Sequence, residues 1–480
     1  MVEYEKNRKG KITMTAKFAV SVAAAVFAIG AQARTFEVAA WRGETVAARV
    51  PDFAELGGEP PAGVTVRYGV MKSVKYAPAE GSLQRREVYD RVVWGGEGNG
   101  PRVVEVSVSP DAKPGTYLCG MMNIRVIDRV LPPPREWKYY LDLWQHPWAV
   151  ARVAGVKPFS KEHYAAMKPV WELLASAGQK TITVPIVDLP WDHQCYDAYH
   201  SMIEDPDFRL FDEYVQFCLD CGLGPDISCY SLCPWTLGKT IDEASLEKYW
   251  GDKFDRFVAH VRAKGWFANT LMALDERTPE DVATVSAFVQ KHAPGMRIAM
   301  AGNRRPSEFK GVKIDVYSQL MIEKYLNKAF LAEAKERAKK GLVTTHYVCC
   351  SPAKPNTFMD SADAEPFWCG AMPAFLGLDG FLRWAWNSWP QNPEKDASFG
   401  GWRAGDTFLC YPGGAPSWRF LDLRNGIAAA EKVRILRESG ALDLEAFGDT
   451  AAGYRDLFSA NDGRCWYWMV RDKTLDLVNK

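Results

Sequence analysis

Between residues 139 and 384 the chain repeats one pattern eight times: a short apolar segment, then a longer stretch with helical spacing. The segments are 139–143, 181–184, 226–230, 270–274, 297–301, 314–317, 342–348 and 380–384. Near-continuous apolar strands are what a parallel sheet buried on both faces requires, and strands alternating with helices in this number close most simply into a barrel. The intervening helices are legible from their faces. Tyr164, Met167, Val170, Trp171 and Leu174 recur at helical spacing after Ser160, a good N-cap, and Gly178 ends the run. Phe420, Leu423, Ile427 and Ala430 mark the last helix in the same way. The expected fold is therefore α/β, a (β/α)8 TIM-like barrel over residues 137–440.

What precedes the barrel has a different period. From residue 34 to 130, alternating β-branched segments at 35–38, 64–70, 102–108 and 121–127 are separated by Gly- and Pro-rich turns, which predicts an all-β sandwich. The run Pro132-Pro-Pro134 is a stiff boundary between the two. Residues 1–33 read as a signal peptide, with lysines, an apolar run over 18–29 and Ala31-Gln-Ala33 as a small-residue cleavage site. The expected location is periplasmic or secreted. Residues 441–480 form a short extension in which 454–478 is expected to add a strand or two. A chain of 480 residues suits this division.

Charge and metal-binding chemistry narrow the function. Lys plus Arg balance Asp plus Glu at 59 each, so no nucleic-acid partner is expected, and beyond the leader no run is long enough to span a membrane. Cys218, Cys221, Cys229 and Cys233 fall near one another, but the first two lie on an apolar helix face with Phe211, Tyr214 and Val215, which is core usage. Neither metal nor other cofactor is expected, and the sequence leaves the oligomeric state and any pairing among its eleven cysteines open.

The C-terminal ends of barrel strands carry function. Those ends would gather Asp275 and Glu276 as catalytic carboxylates, with His146, Tyr230, Trp235, Tyr317, Tyr347, Arg383, Trp384, Trp386 and Asn387 as a substrate-binding cup. Aromatic faces suit the C–H side of a sugar ring, and amides and carboxylates suit its hydroxyls. Each member also has a plainer reading: a large Trp is usually core, a His before Pro is usually structural, and Arg277 is usually an ion-pair partner. Asp275 and Glu276 are neighbours, so a regular pleat would send them to opposite sides unless the chain turns there. Thr278-Pro-Glu-Asp281 independently reads as a helix N-terminus.

Several longer motifs occur together in one order: Asp142-Leu-Trp-Gln-His-Pro-Trp148, Cys229-Tyr-Ser-Leu-Cys-Pro-Trp235, Leu274-Asp-Glu-Arg277, Pro355-Asn-Thr-Phe358, Gly380-Phe-Leu-Arg-Trp-Ala-Trp-Asn387 and Gly405-Asp-Thr-Phe-Leu-Cys-Tyr-Pro412. In these the chain resembles the catalytic domain of glycoside hydrolase family 123. The resemblance implies an exo-acting, retaining β-N-acetylgalactosaminidase that uses the substrate's own acetamido group, acting on a glycan with a terminal β-N-acetylhexosamine. Glu276 would then be the general acid/base, and Asp275 would orient and stabilise the acetamido group. Competing expectations are a barrel that binds glycans without cleaving them, and a glycosidase for another β-linked sugar such as β-GlcNAc.

Overall fold

Eight parallel strands close around a filled interior, and each can be placed on the expected segments. They are β8 (Tyr140–Leu143), β9 (Thr181–Pro185), β10 (Asp226–Tyr230), β11 (Thr270–Asp275), β12 (Arg297–Gly302), β13 (Val316–Leu320), β14 (Val343–Tyr347) and β15 (Gly380–Arg383). Each strand pairs with the next from β9 to β15, and β15 pairs with β8. The computed structural model describes residues 35–78, 84–191, 197–234, 241–322, 324, 325, 327–442 and 463–480, the side chains of 463–470 excepted. The expected signal peptide at 1–33 and Trp235 lie outside the described residues.

The seam between β8 and β9 is joined mainly by side chains. The Gln179 carbonyl accepts from Leu143 N (3.0 Å) and its amide donates to Leu143 O (3.1 Å). Gln145 does the same one turn higher, accepting from Thr183 N (2.8 Å) and donating to Leu143 O. Two buried glutamines thus satisfy backbone groups that a wider gap would leave unpaired.

The interior has a definite polarity. Tyr140 on β8 donates to Asp226 on β10 (2.8 Å), and Arg297 on β12 donates to the same carboxylate (2.7 Å). Bonds between strands that are not neighbours must cross the lumen, so these three side chains point inward at the N-terminal end. Alternation along each strand then places Asp142, Tyr230, Asp275, Ser318 and Tyr347 inside, and Tyr317 and Arg383 outside, by the observed register.

Two sheets precede the barrel, in orders β1-β7-β6 and β2-β5-β3-β4. Their strands are β1 (Phe36–Arg42), β2 (Thr45–Arg49), β3 (Val64–Tyr76), β4 (Arg86–Trp94), β5 (Arg102–Val108), β6 (Gly115–Cys119) and β7 (Met122–Val130). Val38, Ala40, Val104, Val106, Ile124 and Val126 fill the space between them.

The helices that matter for the site are α1 (Pro147–Ala154), α2 (Lys161–Ala175), α3 (Pro279–His292), α4 (Glu365–Leu376), α5 (Trp418–Glu438) and α6 (Gly463–Val478). Ser160 caps α2 by accepting from His163 N, and Ser417 caps α5 by accepting from Phe420 N. Helix α5 is buried over most of its length between barrel and sandwich. Its cations reach buried carboxylates of the sandwich: Arg419 to Asp90 (2.9 Å), Arg424 to Glu105 (2.5 Å) and Lys432 to Glu44 (2.6 Å).

Of the region 454–478 expected to add a strand or two, Gly463–Val478 is a helix instead, and 454–462 lie outside the described residues. The aromatic and β-branched run Trp466-Tyr-Trp-Met-Val470 looks strand-like, but the burial of Thr474 and Val478 four residues apart has helical period. Tertiary contacts hold that helix: Arg471 pairs with Asp422 (3.1 Å), and the Val478 carbonyl accepts from Trp41 Nε1 (2.8 Å).

Candidate active site

Strand β11 delivers its carboxylates to the C-terminal mouth. Asp275, its last residue, pairs in register with Ala301 and faces the lumen. A continued pleat would turn Glu276 outward. Instead Glu276 takes φ +46, a left-handed conformation that side-chain-bearing residues seldom adopt, while its N–H still bonds Ala301 O (2.8 Å). That one residue is the turn the adjacent pair needs, and it brings Glu276 back over the mouth. The helix reading of the next residues is also correct: the Thr278 hydroxyl caps α3 through Asp281 N (3.2 Å), and Pro279 opens the helix. Arg277 donates to Asp281 (3.1 Å).

Neutral donors hold the Glu276 carboxyl. Tyr347, at the end of β14, donates its hydroxyl to Oε1, and Asn303, just past β12, donates Nδ2 to Oε2 (3.1 Å). Tyr347 comes from three strands away, so this bond spans the mouth. Burial, together with the Glu276 charge, raises the Tyr347 phenol well above its ordinary value, so it keeps its proton. Sequence reasoning named Tyr347 and missed Asn303. The available signal was its place in Gly302-Asn-Arg304, directly after an apolar strand.

The other expected residues divide between mouth and packing. Tyr230 faces inward at the end of β10, its ring 4.7 Å from that of Trp144 and 5.3 Å from that of Trp191. Trp144 and Trp191 stack at 5.3 Å, so these three rings form an aromatic wall to which Trp191 was not expected to contribute. His146 is fully enclosed: Nε2 donates to Trp384 O (3.0 Å), which leaves Nδ1 to accept from the Tyr199 hydroxyl. Burial, only partly opposed by that carbonyl, pushes it down to about 4, and it is a neutral structural histidine at neutral pH. Asn387 clips the same residue, accepting from His146 N (2.9 Å) and donating to His146 O (3.0 Å).

Four further residues are placed by the tertiary structure in packing. Arg383 is outside the strand layer with no exposure, donating to Val348 O, Asn356, Gly405 O and Asp406. Trp384 sits just past β15 and donates Nε1 to the same Asp406 carboxylate (2.9 Å). Trp386 is wholly buried against Phe420 of α5, ring centroids 4.7 Å apart. Tyr317 is not at the mouth. The expected strand 314–317 begins and ends too early, so Tyr317 is the second residue of β13 and points to the helix layer. There its hydroxyl donates to Arg304 O, beneath the loop that carries Asn303, and a Cβ on Gly302 would lie 2.0 Å from that hydroxyl. Glycine is therefore required where β12 passes over the ring.

The family profile "Glycoside hydrolase 123, catalytic domain" matches residues 144–436, which include both carboxylates and every strand after β8. This chain belongs to glycoside hydrolase family 123. The enzyme is similar in fold to a solved family 123 glycoside hydrolase from Clostridium perfringens, described for hydrolysis of glycolipid glycans. That match has a TM-score of 0.73 at 21% identity, covering 85% of this chain and 84% of the other. An endo-β1,6-glucanase matches more distantly, with a TM-score of 0.38 and 10% identity over 65% of this chain and 81% of that one. No curated protein sequence matches this hydrolase. Among the described residues no helix is long and apolar enough to cross a membrane.

Proposed function

We propose that this glycoside hydrolase is exo-acting and retaining, and removes terminal β-linked N-acetylgalactosamine with the help of the substrate's 2-acetamido group. The observation that carries the reading is the left-handed turn at Glu276, which aims two adjacent carboxylates at one mouth. A retaining glycosidase with a protein nucleophile uses carboxylates about 5–5.5 Å apart on opposite faces of the sugar, whereas substrate-assisted enzymes dispense with that nucleophile. Adjacent carboxylates suit the second plan. The acetamido oxygen attacks the anomeric carbon as the glycosidic bond breaks, and Glu276 gives its proton to the departing oxygen. Asp275 accepts from the acetamido N–H and offsets the positive charge that develops on the cyclised intermediate. Water then attacks the anomeric carbon, losing its proton to Glu276. Two inversions give a β product.

The glycan description of the Clostridium perfringens relative supports a glycoconjugate substrate. The leader at 1–33 would carry the enzyme to the periplasm or beyond, where such glycans are met. Leaving-group dependence tests the roles. Glu276→Gln is expected to slow an alkyl or sugar β-GalNAc glycoside by about 10²–10⁴-fold and a nitrophenyl one far less. Asp275→Asn should slow both comparably. Efficient cleavage of a plain β-galactoside by the wild type would exclude assistance by the acetamido group.

A further inference from the structure

An acid catalyst must not only carry a proton but carry it on the oxygen that faces the leaving group. The two donors on Glu276 are chemically unequal. Asn303 presents an amide N–H2 to Oε2, and an amide nitrogen can only donate. A proton placed on Oε2 would meet another N–H. Tyr347 presents a hydroxyl to Oε1, and a hydroxyl can donate to a carboxylate or rotate to accept from a carboxylic acid. The loop bearing Asn303 is itself fixed from below, by the Tyr317 hydroxyl on Arg304 O and by the close passage of Gly302 over that ring.

We propose that Asn303 is a positioning residue that assigns the proton of Glu276 to Oε1, with the Tyr347 hydroxyl as the partner that stops donating while Oε1 holds that proton and donates again once it is delivered. This rests on Glu276 being the general acid. In the acid form Oε1 bears the hydrogen and Oε2 keeps its bond from Asn303. On transfer, the O–H bond at Oε1 breaks, the proton goes to the glycosidic oxygen, and the resulting carboxylate recovers the Tyr347 hydrogen bond. The proton and the direction of hydrogen bonding therefore change at Oε1 only, while Oε2 keeps its bond from Asn303 throughout.

The decisive variants are Asn303→Ala and Asn303→Asp, with Glu276→Gln measured beside them on nitrophenyl and alkyl β-GalNAc substrates. Asn303→Ala frees the carboxyl to rotate, so kcat for the alkyl glycoside should fall by about 10²-fold, with KM and the nitrophenyl rate little changed. The introduced carboxyl of Asn303→Asp cannot donate to Oε2 when ionised but can when protonated. Its alkyl-glycoside rate relative to wild type should therefore rise as pH falls, in one folded protein. A deficit that is independent of pH, or an Asn303→Ala loss equal for both leaving groups, would overturn the assignment. If Glu276→Gln itself shows no leaving-group dependence, the acid role fails first and this inference goes with it.

Discussion

Carboxylates at the joint between sandwich and barrel are held differently from the one at the mouth. Asp90, Glu105 and Glu44 are each within 4% or 5% exposure or less and each faces a cation of α5: Arg419, Arg424 or Lys432. Burial alone would raise Glu105, but Arg424 and Arg67 outweigh it and hold it below its ordinary value. Each of the three is tied to a cation of α5 and acts as a fixed joint. Glu276 is held by an amide and a phenol, which orient it without adding a compensating charge. A neutral donor orients a carboxyl without a countercharge, whereas a nearby cation also favours the charged form. The same distinction separates a brace from the proposed acid.

Exchanging the two kinds of partner is the strongest way to break that comparison. Arg419→Gln replaces a buried cation that also donates to Thr357 O, Gly405 O and Phe408 O, and leaves Asp90 without its countercharge. Loss of one member of a buried pair costs about 3–5 kcal/mol, to be read from denaturant unfolding. Stability near that of wild type would show that the joint does not depend on charge. The reverse exchange, Asn303→Lys, puts a cation on Glu276 and should hold it as a carboxylate. Turnover of an alkyl β-GalNAc glycoside is expected to fall by about 10²-fold or more, roughly 2.7 kcal/mol, while thermal unfolding changes little. Retained turnover would mean that the neutrality of the clamp is irrelevant.

Asp142 sharpens the contrast, because it too accepts from a neutral donor, the Thr181 hydroxyl at 2.5 Å, but is sealed inside the barrel. Burial pushes it up to about 7, with the Asp226 charge adding to this and the Thr181 and Trp144 hydrogen bonds opposing it. Its folded value lies above the unfolded one, so the folded chain holds a proton that the unfolded chain has lost. Stability from this group is therefore present below about pH 4 and is lost as pH rises toward about 7. Asp142→Asn keeps an acceptor for Thr181 and should raise the melting temperature at about pH 8, with the gain vanishing near pH 4. A gain of equal size at both would point to packing rather than titration. The smallest effect is expected from Tyr317→Phe, which removes only the bond to Arg304 O beneath the Asn303 loop. About 1 kcal/mol of stability should be lost, with a several-fold drop in kcat confined to poor leaving groups. An equal drop for nitrophenyl substrates would separate the loop from the acid.

Much of the scaffold was legible because local chemistry decides it. The apolar segments, the caps at Ser160 and Thr278, and the shift from sandwich to barrel period all follow from residue type and spacing, and so did the family resemblance confirmed over residues 144–436. Asp275 and Glu276 could be picked out as a strand-end pair for the same reason. What the sequence could not carry was phase. A strand buried on both faces is apolar throughout, so nothing local says which alternate residues look inward, and a shift of one residue exchanges the two sets. That is why Tyr317 and Arg383 could be assigned to the mouth, although the register turns Tyr317 under a loop and Arg383 into a buried network. Asn303 escaped notice because an asparagine after a strand is ordinary until a second strand end, the one bearing Tyr347, is brought across from it. The left-handed turn at Glu276 is likewise no preference of glutamate. Only the closed barrel, with Ala301, Asn303 and Tyr347 in fixed places around that residue, supplies enough partners to hold it there.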